Sequence, residues 1–404
     1  MSIYRNHNFM ILLSGQLVSR FGNYLYAIAL PWYVFELTNS KTDLALTGIA
    51  QTVPLMAGLF VGVLVDRWNK KHTMIISDLL RGAIAITLFF LALKGMSSRS
   101  NLAAMFMLVA LMQLVGTVFT PAQSALLPKL VDPKDLTKAI GVNQSSGSVA
   151  GLVGLFGGGT LLAVLGAPLL FLFNGISFFV SSLSLLLIRS TEERISKHAK
   201  TSLWQDWREG FIAIFELNGM LRVCLLALIA NFSLAAFDIV MVAWVKGPMK
   251  GNGFVLGTLN GAFMIGSLVG GLLLSRIVKR VQMRHVLLYG CILLGFVDGS
   301  IALFASVYWN LPLMFIGGLT IGIINGTIGT SAVRLIPEGM RGRIFSVLGA
   351  LSTLSQPLGI AVFGTIMLHV ALSAVFVLIA AFVIIGGLLF IKPVALNEAD
   401  GRSA

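Results

Sequence analysis

Twelve predominantly apolar stretches, each long enough to cross a membrane, follow one another along this chain with short basic segments between them. A helix rising 1.5 Å per residue needs about 20 residues to traverse about 30 Å of hydrocarbon. Inside hydrocarbon the backbone must satisfy its own hydrogen bonds, which leaves helices as the economical solution for runs of this length. On that ruler the spacing predicts helices over 9–36, 44–66, 73–94, 101–127, 138–164, 166–189, 220–245, 253–276, 285–307, 309–333, 343–368 and 370–392. The chain of 404 residues is 57% hydrophobic and only 11% charged, with mean hydropathy +0.91. Ordinary globular domains carry about a quarter charged residues, so lipid is the solvent this chain expects. The fold class read from these runs is an all-α membrane protein.

The basic residues orient the spans. With both termini cytoplasmic, the inward segments hold Arg5, the 67–71 cluster, Lys129, Lys134, Lys138, the six basic residues between Arg189 and Arg222, the 276–284 cluster, Arg334, Arg341, Arg343, Lys392 and Arg402, which is 22 of the 29 Lys and Arg. The outward segments hold five: Lys41, Lys94, Arg99, Lys246 and Lys250. That asymmetry is the positive-inside pattern, and one missed span would scramble it. The same scatter into short clusters excludes nucleic acid as the partner implied by the net charge of +13. The first apolar run is too long for a signal-peptide core and is expected to stay as helix one of a multi-pass protein of the cytoplasmic membrane.

An internal repeat divides the chain. Gly62-x-x-x-Asp66-Arg67-x-x-Lys70-Lys71 after helix two is echoed by Gly271-x-x-x-Ser275-Arg276-x-x-Lys279-Arg280 after helix eight, and Leu126-Leu127-Pro128 by Leu335-Ile336-Pro337. Residues 62 and 271 differ by 209, as do 128 and 337. Two landmarks at one offset argue for a six-plus-six duplication in parallel orientation. The expected domains are 1–189, a cytoplasmic linker 190–219, 220–392 and a tail 393–404. In the linker Leu203, Trp204, Trp207, Phe211, Ile214 and Phe215 recur at helical spacing among charges, which predicts an amphipathic helix on the cytoplasmic surface of the bilayer.

These residues resemble the major facilitator superfamily, whose signature of a glycine, Asp-Arg and a basic cluster stands here as Gly62-Val-Leu-Val-Asp66-Arg67-Trp-Asn-Lys70-Lys71. Asp78-Leu-Leu-Arg81-Gly82, Pro121-Ala-Gln-Ser-Ala-Leu-Leu-Pro128 and Trp204-Gln-Asp-Trp-Arg-Glu-Gly210 are similar to the branch that contains macrolide-efflux and enterobactin-export proteins. The resemblance implies two pseudo-symmetric six-helix bundles. It also implies a cytoplasmic gate in which Asp66 pairs with basic neighbours and caps a helix of the other half, with Asp78 and Arg81 joining that network. Exporters of the superfamily often carry Gly-Pro-x-x-Gly-Gly in helix five. Here Gly154, Gly158 and Gly159 keep the glycines, and the proline is absent. Gly147, Gly151, Gly154 and Gly158 also follow small-xxx-small spacing, which suits close helix packing equally well.

Polar groups within the spans mark the candidate site, because a charge at the centre of a membrane helix costs about 2.5–3.5 kcal/mol even on the lenient insertion scale. Gln16, Ser19, Arg20, Asn23 and Ala27 share one face of helix one. Arg20 and Asn23 are expected to line a cavity, with an interhelical hydrogen bond as the alternative. Asp238, about 10 Å from the outer end of helix seven, shares a face with Asn231 and resembles the seventh-helix carboxylate that some multidrug antiporters use in coupling. Asp298 in helix nine is a weaker candidate, since that helix commonly lies at the periphery of the fold. Glu36 at the outer end of helix one reads as a solvated anchor or a binding group. Gln113 in helix four is a binding group or interhelical glue.

Energy source and chemistry follow from what the chain lacks. No Gly-x4-Gly-Lys-Ser/Thr and no His-Glu-x-x-His occurs, and Cys224 and Cys291 form no metal-ligand spacing. No cofactor, metal or enzymatic activity is expected. The expected partners of a monomer are a small-molecule substrate, protons and membrane lipids. The function that fits is a secondary exporter of amphipathic, drug-like or macrolide-like compounds, proton-coupled and working by alternating access. Export of a siderophore or other metabolite, lysolipid flipping, and a non-transporting receptor or scaffold are the alternatives. If the gate exists as the resemblance implies, Asp66→Ala shifts the resting state inward. Cysteine accessibility on the two membrane faces measures this, and a pattern identical to wild type refutes the gate.

Overall fold

The computed structural model describes residues 3–58, 61, 65, 68–95, 98–188, 203–217, 219–337 and 340–392. Among them all regular structure is helical. The chain forms two compact units, Met1–His198 with Asn252–Gly257, and Ala199–Gly251 with Thr258–Ala404. Among the described residues, twelve apolar helical segments, six from each sequence half, and one amphipathic helix make up the fold.

In the first unit α1 (His7–Thr38) opens on Asn6, whose side chain accepts from the Phe9 N–H at 3.0 Å, and closes on Asn39 in the left-handed region. α2 (Lys41–Thr52) opens on Ser40 and tightens into a 3-10 turn, Val53–Ala57, where Pro54 removes a backbone donor. α3 (Lys70–Leu93) opens on Asn69, and α4 (Arg99–Leu130) opens on Ser98. Each cap lies a few residues before the span that hydropathy predicts. Apolar patterning reports only the part of the helix in hydrocarbon, whereas the first turn is polar and capped. The run Leu136–Leu187 breaks at Gly166 (φ 76, ψ 162), a backbone that glycine alone adopts without strain, with Pro168 following. We number its halves α5 (136–165) and α6 (167–187). α1 packs on both of them, and α3 packs on α6. One core cluster, including Phe9, Leu12, Met74, Leu126 and Leu185, closes the basic end of this unit.

The second unit begins with α7 (Leu203–Glu216), the amphipathic helix of the linker. Ala213 and Ile214 bury against Ile344, Val347 and Leu348. Gly210 permits the approach, since a Cβ there would stand 2.9 Å from the Arg343 carbonyl oxygen, and Glu209 pairs with Arg343 at 2.9 Å. Phe211 and Phe215 remain exposed on the other face. Six membrane segments follow in the chain, the start of α9 up to Gly257 being grouped with the first unit: α8 (Met220–Lys246), α9 (Gly253–Ile277), α10 (Met283–Ile301), α11 (Val307–Leu335), α12 (Arg341–His369) and α13 (Leu372–Leu388). α8 packs on α12 and α13, and α10 packs on α11 and α13. The side chains of 203–206, the rest of linker 190–202 and the tail 393–404 lie outside the described residues.

α9 and α11 meet through glycines. A Cβ at Gly318 or Gly322 would run into the carbonyl oxygen of Phe263 or Ser267, and one at Gly266 or Gly270 into that of Phe315 or Leu319. In lipid no hydrophobic force drives helices together, so backbone contact between small residues supplies dispersion that larger side chains would forfeit. Gly318→Leu forces the two helices apart. Overpacking of this kind costs about 1–3 kcal/mol, and it is expected to appear as a lower melting temperature of the detergent-solubilised protein.

Candidate functional site

The polar stripe of α1 turns into the first unit. Gln16 and Ser19 are buried, and Gln16 Nε2 donates to Ser181 Oγ of α6 at 3.1 Å. Arg20, about 20 Å along the helix, reaches α5: Nη1 donates to the Asn143 carbonyl at 2.6 Å and to Ser146 Oγ at 3.0 Å, and Nη2 to Asn143 Oδ1 at 3.0 Å. Its three acceptors are neutral. The guanidinium is thus hydrogen-bonded and half-buried, and it ties α1 to α5.

Asn23 continues the stripe and accepts from Arg81 Nη2 of α3 at 3.3 Å. Arg81 also lies over the Phe178 ring of α6 at 4.0 Å and pairs with Asp78, one turn earlier, at 3.7 Å. Asp78 is fully buried. Through Arg81 the pair is tied to α1 at Asn23 and to α6 at Phe178. Gly62, Asp66 and Arg67 lie outside the described residues. Lys70 is buried, with Nζ on the Trp68 carbonyl at 2.8 Å, and Lys71 Nζ donates to the carbonyls of Leu186 and Ile188 at 3.1 and 2.7 Å. A cation there suits the negative end of the α6 dipole. Gly154 and Gly158 lie against Tyr24 and Leu25 of α1, whereas Gly159 meets Gly253 and Gly257 of the segment Asn252–Gly257, which belongs to the same unit. Gln113 Nε2 donates to the Gln51 carbonyl at 3.1 Å and joins α4 to α2. Glu36 is exposed near the far end of α1.

In the second unit Asp238 is exposed on α8, and half-buried Asn231 lies two turns below it on the same face. The opposite face is fixed by Phe237 and Trp244, each packed edge-on against Phe376 of α13 at 5.5 Å. Asp238 makes no hydrogen bond or ion pair with a described residue. Its place is about 12 Å from the Lys246 end of the helix, so it is an intramembrane carboxylate that its own unit leaves uncovered. Asn231 Nδ2 is spent on the Ala227 carbonyl of its own helix at 2.9 Å. Asp298 of α10 faces inward and is 8% exposed.

The structure therefore gathers Asn23, Asp78 and Arg81 into one buried cluster, ties Arg20 to α5, and sets Asp238 apart. The sequence reading missed the acceptors Asn143 and Ser146 and the residues beneath the cluster, Asn174, Ser177 and Phe178. An i, i+3 polar pair inside span five is the signal that was available for the first two. Among the described residues no three His, Cys, Asp or Glu converge as metal ligands. Removing one partner of a buried ion pair costs about 3–5 kcal/mol because the other charge is stranded. Arg81→Ala is thus expected to lower thermal stability sharply, whereas Asp78→Asn combined with Arg81→Met recovers most of it in the same melting assay.

Comparison with known proteins places this geometry. Residues 1–403 match the family described as transmembrane secretion effector. The multidrug efflux pump Tap of Mycobacterium tuberculosis is 25% identical over 96% of this chain and 94% of its own length. Macrolide efflux protein A of Streptococcus pyogenes is 24% identical over 87% of each. A crystal structure of a bacterial homologue of iron transporter ferroportin in an inward-facing state superposes over 100% of both chains with TM-score 0.77 at 17% identity, a likeness of fold alone. The chain is a multi-pass membrane transporter, and it belongs to the transmembrane secretion effector family of the major facilitator superfamily.

Proposed function

We propose that this transporter is a secondary exporter of small amphipathic compounds, driven by protons through alternating access, in the bacterial cytoplasmic membrane with both termini inside. The observation that carries the reading is Asp238: an uncovered carboxylate well inside a span, on a stripe otherwise apolar except for Asn231. Ionisable residues are retained at such depth for a function. A carboxylate that is not committed to a partner can exchange a proton for the cationic end of an amphipathic substrate. Efflux named in two relatives, of macrolides and of multiple drugs, supports export of this substrate class. Arg20 and Asn23 hold the first unit's helices in register, and the basic asymmetry of the segments supports the orientation.

Asp238→Asn removes the exchangeable proton and leaves shape nearly unchanged. At an exposed site such a change moves stability by about 0.5 kcal/mol or less. Ethidium efflux from proteoliposomes under an imposed pH gradient is expected to fall to the rate of protein-free vesicles, with melting temperature preserved. Efflux equal to wild type removes Asp238 from coupling. In a pump-deficient host, resistance to amphipathic drugs that an uncoupler abolishes supports the wider reading.

A further inference from the structure

A carboxyl group enclosed by apolar side chains can pair with a cation, be solvated by trapped water, or hold a proton. Asp298 faces this choice. It lines a small, partly open cavity of about 30 Å³ in the second unit, together with Ser233 and Phe237 of α8, Phe263 of α9, Cys291 of α10 and Ile321 of α11. That volume holds one or two water molecules. Ser233 Oγ is buried without a hydrogen-bond partner, and Asp298 makes no hydrogen bond or ion pair with a described residue. Two unpartnered oxygen groups therefore open onto one small, otherwise apolar space.

Counter-ions are not at hand. The charged and titratable groups on the surrounding helices are Arg222, Asp238 and Lys246 of α8, Arg276 of α9, Arg284, His285 and Tyr289 of α10, and Tyr308 and Arg334 of α11, while α13 carries none. None of these lines the cavity; its only other titratable side chain is the Cys291 thiol. A hard metal ion takes six or more oxygen ligands, and the lining side chains offer one carboxyl group and one hydroxyl. Asp298 also stands in the last turn of α10, where the helix dipole is negative and disfavours an anion.

We infer that Asp298, Ser233 and one or two waters held in this cavity form a proton-binding site inside the second unit, separate from the exposed carboxylate of Asp238. The two sites share a wall. Ser233 and Phe237 face the cavity from the same helix that presents Asp238 on its other side, so a shift of α8 that moves Asp238 also reshapes the space around Asp298. The site stands without the coupling role of Asp238, because it is argued from the cavity alone.

Infrared difference spectroscopy of the full-length protein in proteoliposomes, without substrate and across a pH series, tests it directly. Wild type is expected to show the carbonyl stretch of a protonated carboxylic acid at neutral pH, shifted in D2O, retained in Asp238→Asn and lost in Asp298→Asn. Ser233→Ala is expected to move the band to higher frequency as a hydrogen bond is lost, which keeps the test decisive if Asp298→Asn folds poorly. A band that is missing at neutral pH, that survives in Asp298→Asn, or that is unmoved in Ser233→Ala overturns the assignment. Loss of the band on adding sodium at fixed pH overturns it in favour of a cation site. Failure of the Asp238 efflux experiment leaves the band unchanged, so the two readings fail separately.

Discussion

Hydrocarbon offers no hydrogen bonds, and every polar group this chain carries into the membrane must find its partner within the protein or keep a purpose that outweighs the cost. The backbone answers with helices. The side chains answer with pairings across helices: Arg20 on Asn143 and Ser146, Gln16 on Ser181, Gln113 on the Gln51 carbonyl, and Arg81 between Asn23, Asp78 and Phe178. All but the Arg81–Asp78 pair, which lies within α3, join segments distant in sequence. Together they do in the first unit what hydrophobic burial does in a water-soluble domain, since lipid tails compete equally for apolar surface.

The second unit is held in another way. Its helices approach through glycine, as where Gly266 and Gly270 of α9 meet Gly318 and Gly322 of α11, and through aromatic packing around Phe376. With few internal polar ties, its two buried or uncovered carboxylates stand out. Among the described residues Asp238 has no partner on the exposed side of α8, and Asp298 has none in the cavity on the inward side of α10. A transporter needs groups whose interactions differ between states, and a residue already committed to three hydrogen bonds, as Arg20 is, has less freedom to change them.

α7 shows how one short segment serves both water and lipid. Gly210, Ala213 and Ile214 give it an inner face that docks on α12, and Glu209 pairs with Arg343 beside that contact. Phe211 and Phe215 are left on the outside, where aromatic rings suit the region between headgroups and acyl chains.

The order and number of the membrane helices, the duplication and the family were legible in the chain alone, because the length of an apolar run and the repeat of Gly62 and Pro128 at Gly271 and Pro337 are local properties that need no partner to be read. The polar positions were legible too, since any Arg or Asp within such a run announces itself by its cost. What each one does was decided by packing. The stripe of α1 shows that Gln16, Arg20 and Asn23 share a face, but only the tertiary structure sends them to α6, α5 and α3. Asp238 and Asp298 look alike in sequence, each an acid in an apolar helix. Their difference, one uncovered and one enclosed beside Ser233, depends on which helices surround them, and no pattern within a single helix carries that information.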